Sequence, residues 1–125
     1  MRRIAAALAF MLLASAAVAQ NNSTRASSNF ITPLGYCQFT ATGTAQTLSA
    51  ASCAAPVRSA WATICIETAS IRWRDDATVP TATVGMPVAA GQCIYYNGTF
   101  SALSIISQSG SPVVNISYYD GPGAQ

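Results

Sequence analysis

Trp61 to Glu67 (WATICIE) places Ala62, Ile64 and Ile66 on one side of an extended chain. Trp61, Thr63, Cys65 and Glu67 fall on the other. A period of two marks a strand with one face buried, whereas a helix would scatter these residues around its circumference. Tyr36 to Thr40 repeats the pattern, with Cys37 and Phe39 on one face, and Ile71 to Arg74 sets Ile71 and Trp73 against Arg72 and Arg74. Further apolar runs lie at Thr44–Leu48, Thr81–Val88, Gln92–Tyr96, Phe100–Ser107 and Val113–Tyr119. Turn-forming clusters separate them: Ala54-Ala55-Pro56, Asp75 to Pro80, Ala90-Gly91, Asn97-Gly98 and Ser109-Gly110-Ser111-Pro112. Seven or eight short antiparallel strands so spaced predict an all-β fold, a small β-sandwich or jelly roll. The Ser109–Pro112 cluster predicts a hairpin between the last two strands. The Ala-rich stretch from Leu48 to Ala55 is where a helix would intrude, since Ala favours helix.

The first 19 residues read as a secretory signal. Arg2 and Arg3 begin it, an uncharged apolar run from Ile4 to Ala14 follows, and Ala17-Val18-Ala19 supplies small residues before a cut at Gln20. The run is shorter than the ~20 apolar residues of a membrane span. Residues 20–33, rich in Asn, Ser and Thr, read as a flexible polar arm. Residues 34–119 form the β domain and 120–125 a Gly/Pro-rich frayed tail. The Ala-rich signal has a bacterial look, so a periplasmic or extracellular location is expected, with no membrane partner after cleavage.

Without the signal, four arginines (Arg25, Arg58, Arg72, Arg74) face four acids (Glu67, Asp75, Asp76, Asp120). The formal charge of +2 belongs to Arg2 and Arg3, and nothing remains to attract nucleic acid. So little net charge also gives little repulsion between copies. Four cysteines follow the signal: Cys37, Cys53, Cys65 and Cys93. An even count in an exported chain predicts two disulfides, and the wide spacing and lack of His disfavour a metal site. Cys37 with Cys53 is the local pair, leaving Cys65 with Cys93 on later strands; the other two connectivities stay open.

No catalytic constellation emerges. Serines lack a His base and a GxSxG elbow. Asp75 and Asp76 are adjacent and point apart in an extended chain, which suits a solvated turn better than shared acid–base work. Neither cofactor nor metal is expected, and the chain is not expected to be an enzyme. Arg72-Trp73-Arg74-Asp75 is the most distinctive tetrapeptide. Arg72, Trp73, Arg74 and Tyr95 are therefore the candidate ligand or interface residues: arginines for anionic groups, aromatics for stacking on a sugar. The plainer alternative puts Trp73 in the core and pairs the arginines with Glu67 or Asp75.

The block Ile71–Gly91 (IRWRDDATVPTATVGMPVAAG) resembles small structural proteins of tailed-phage and prophage virion clusters. In these a strand ending in RWRDDG precedes a PTA-rich loop and a G-x-P-L-x-A-G segment. Their closing N-(V/I)-S-Y-Y strand is matched here by Asn115–Tyr119, and their early Gly-Tyr-Gln-Gln by Gly35–Gln38. The similarity spans about 35–119. It implies a β-sandwich accessory or tail-associated protein without catalytic residues, acting in assembly or surface binding. The export signal and the cysteines are departures from the family, which has polar residues near 37, 65 and 93. Two functions are thus expected: an exported structural or interaction module, self-associating or joining a surface or virion assembly, and alternatively a secreted glycan-binding module.

Overall fold

The computed structural model describes residues 30–121. The signal at 1–19, the arm up to residue 29 and the tail from 122 lie outside the described residues. Eight strands run in chain order: β1 (Thr32–Thr40), β2 (Gln46–Thr47), β3 (Trp61–Glu67), β4 (Ile71–Arg74), β5 (Met86–Val88), β6 (Cys93–Tyr96), β7 (Ser104–Ser107) and β8 (Val113–Asp120). They make two four-stranded sheets, ordered β1-β8-β3-β6 and β2-β7-β4-β5.

One rule generates this order. β1 pairs with β8, β2 with β7, β3 with β6 and β4 with β5, all antiparallel. These are the pairings of a single long hairpin folded at the β4–β5 loop. Rolling it up brings β8 against β3 and β7 against β4, and the result is a jelly roll. The expected all-β sandwich is therefore the observed one.

Only β4 and β5 are consecutive partners within one sheet. The turn at Ser109–Pro112 is real, with Gly110 at φ 68° and its carbonyl accepting from the Ser107 hydroxyl. Its flanking strands, β7 and β8, nevertheless belong to opposite sheets, so the segment is a crossover and not the expected hairpin.

The alternation in β3 is realised as read: Ala62, Ile64 and Ile66 are buried between the sheets. They meet Ile71, Ile105 and Ile116 in a core closed at one end by aromatic rings. Trp73, Tyr96, Phe100 and Tyr118 contact in series, edge to face, with centroids 5.9, 5.4 and 5.5 Å apart. Such pairs add about 0.5–1.5 kcal/mol each beyond area burial.

Several strands are shorter than expected. Thr81–Val84 folds into a tight turn before β5, its Thr81 and Val84 amides and carbonyls exchanging bonds. Thr99–Ala102 turns likewise before β7. β1 and β8 are longer, because Thr32 still pairs with Asp120. The helical leaning of the Ala-rich segment survives as one turn. The Thr47 hydroxyl caps the Ala50 amide, and bonds from Cys53 to Leu48 and from Ser52 to Ser49 close the turn with Ser52 at φ 58°.

Both disulfides form, joining Cys37 to Cys53 and Cys65 to Cys93. The first ties edge strand β1 to the turn that follows β2. The second links directly opposed residues of β3 and β6, with Cα atoms 3.9 Å apart. Beyond it the ladder bulges, as Gly91 and Gln92 both bond Ile66. Gly91 stands at φ 80°, the conformation such a bulge demands of its first residue.

Candidate functional site

The four residues singled out from sequence do not converge. Trp73 turns inward and packs on the core. Arg72 reaches over the outside of the β4-containing sheet. It donates from Nε to the Ala82 carbonyl at 3.0 Å and from Nη1 to the Gly85 carbonyl at 2.8 Å. Its guanidinium thereby holds the β4–β5 loop against the sheet, and Pro80 within that loop is fully buried. Arg74 pairs with Asp76, whose carboxyl it holds down at about 2. The expected arginine partners, Glu67 and Asp75, are thus replaced by loop carbonyls and Asp76. Tyr95 lies apart from all three, on the outer face of the opposite sheet.

That outer face is the better site. Period-two geometry sends alternate residues of β1, β8, β3 and β6 outward, and the register aligns them in rows across the strands. One row runs Tyr36, Ser117, Thr63, Tyr95. Its middle members are short, so the sheet surface is low between two tyrosines that are 64% and 40% exposed. The neighbouring row on one side carries Tyr119 and Trp61. Trp61 stacks on Tyr119 with centroids 4.1 Å apart and leans on Tyr95 at 5.0 Å, which makes a continuous aromatic wall. Trp61 itself is only 7% exposed, and among the described residues its buried indole Nε1 has no hydrogen-bond partner.

The row on the other side carries Gln38, Asn115, Cys65 and Cys93. Asn115 organises it: Oδ1 accepts from the Tyr36 hydroxyl and from Gln38 Nε2 at 2.7 Å, while Nδ2 donates to Glu67 Oε1 at 3.0 Å. The face is therefore a lane floored by Ser117 and Thr63, with an aromatic wall on one side and an amide-rich wall on the other. The Cys65–Cys93 bridge pins β6, the strand that carries Tyr95, to β3. None of these rows carries a charged residue; Glu67 stands one row further on, opposite Val113, and reaches back to Asn115.

Chemically the lane can accept and donate hydrogen bonds and can stack. Among the described residues, no group of three or more His, Cys, Asp and Glu is placed to hold a metal ion. No family model matches the chain, and neither the curated proteins nor the solved structures include one significantly similar to it.

Tyr36, Ser117 and Asn115 escaped the sequence reading. Their alternation is visible in the sequence, but only the pairing of β8 with both β1 and β3 sets them side by side.

Proposed function

We propose that this chain is an exported, non-catalytic interaction module, related to phage virion accessory or tail-associated proteins, that joins a surface or an assembly through the outer face of the β1-β8-β3-β6 sheet. The observation that carries this reading is the contrast between the two sheets. The β4–β5 loop is strapped over the outside of one by Arg72, whereas the other presents an ordered array with Tyr36 and Tyr95 exposed. Two disulfides suit an oxidising compartment, and export through the residue 1–19 signal would deliver the domain there. The resemblance around Ile71–Gly91 and Asn115–Tyr119 supplies the kinship with virion proteins.

Ser117 gives the test. Its side chain floors the lane without filling any part of the core, so Ser117→Arg introduces bulk and charge while leaving the fold in place. The mature wild-type protein should self-assemble by light scattering or sediment with isolated cell envelopes, and Ser117→Arg should lose most of that association. Wild type and variant both behaving as inert monomers would contradict the proposal.

A further inference from the structure

We infer that the lane between Tyr36 and Tyr95 binds a neutral oligosaccharide. The inference rests on the reading of this face as an interaction surface and names the chemistry of its partner. A sugar ring presents apolar C–H faces and a rim of hydroxyls that both donate and accept. The lane presents the complement of both. Its aromatic wall offers π surface to the C–H faces through the exposed Tyr95, which is backed, together with Tyr119, by the buried Trp61 ring. Its floor and opposite wall, Ser117, Thr63, Gln38 and Asn115, offer hydroxyls and amides whose capacity is only partly used. Asn115 Nδ2 is engaged by Glu67, but among the described residues the Gln38 carbonyl oxygen and both floor hydroxyls have no protein partner.

Charge decides between ligand classes. Among the described residues the lane contains no Arg to pair with an anionic glycan or a phosphate, and Arg58, Arg72 and Arg74 are engaged elsewhere. Length fits as well: the row crosses three strand spacings, ~14 Å, enough for a short oligosaccharide lying across the strands.

The test is an array of neutral gluco-, manno-, galacto-, xylo- and chito-oligosaccharides alongside sulfated and sialylated glycans, probed with the mature protein. The inference predicts binding to one of the neutral series, weakened about tenfold in Tyr95→Ala and abolished in Ser117→Arg. Near-ultraviolet circular dichroism checks that both variants stay folded, and Arg72→Gln on the other sheet should bind as wild type. Silence on every neutral glycan, binding to anionic glycans only, or equal binding by the variants would overturn it. If Ser117→Arg still abolishes assembly or envelope association while the array is silent, the sugar assignment fails and the interaction surface stands. If Ser117→Arg changes neither, both fail.

Discussion

Tyr118 lies in the middle of β8, fully buried, and its hydroxyl donates to the Cys53 carbonyl at 2.6 Å. Burial pushes its phenol up to about 12. Tyr96, also buried, is pushed up to about 12 by burial first and then by the nearby Asp75 carboxylate. The unfolded chain releases these protons near 10, the ordinary value. Between pH 10 and 12 the folded state therefore holds protons that the unfolded state has lost, and stability falls as pH rises through that window. The combined loss is on the order of a few kcal/mol, from ~1.4 kcal/mol for each pH unit that separates the two states. Urea unfolding at a series of alkaline pH values checks this, with tyrosinate absorbance reporting the ionisation. In Tyr118→Phe the alkaline loss should shrink to the part due to Tyr96. At neutral pH the same variant should be weaker by about 1–3 kcal/mol, because the Cys53 carbonyl is left without its donor.

At the scale of elements, the strands that pack strongly were legible and the weak ones were not. β3 and β4 carry clear alternation and formed where expected, because burying one face leaves a single workable register. Thr81–Val84 reads equally well as strand, yet it turns, since Arg72 and the Pro80 contact draw the loop across the sheet. Neither constraint is local. Trp73 is partly buried, packed against the core with its ring edge-to-face on Tyr96, as the plainer alternative expects. The bridges were legible as a pair of pairs, because Cys37 and Cys53 are near in sequence and the remaining two sit on outward positions of later strands. Both loops are long enough to matter in the chain-entropy model, at about 3–4 kcal/mol each. Intact mass with and without reductant, followed by peptide mapping, should find bonds 37–53 and 65–93. The double variant Cys65→Ser/Cys93→Ser should remain a jelly roll with a lowered melting temperature. Four free thiols in the exported protein would contradict this.

At the scale of the whole molecule, the fold class was readable, with the jelly roll as one of two expected forms, but the strand order within each sheet was not. Turn residues report where the chain bends, and nothing in Asn97-Gly98 or Ser109-Gly110 says whether the next strand joins the same sheet or the other. That choice follows from the rolled hairpin, which is a property of all eight strands together. The candidate site inherits the difficulty, as its rows draw on β1, β3, β6 and β8, far apart in the chain. Exposed aromatic and sulfur side chains now allow the two sheets to be compared directly. Tyr36 and Tyr95 stand on the proposed face, and Met86, 59% exposed, stands on edge strand β5 of the opposite sheet. Hydroxyl-radical footprinting with mass spectrometry, with and without isolated cell envelopes, reads all three at once. Protection of Tyr36 and Tyr95 with Met86 unchanged is the predicted result; protection centred on Met86 with both tyrosines still reactive would contradict the assignment of the working face.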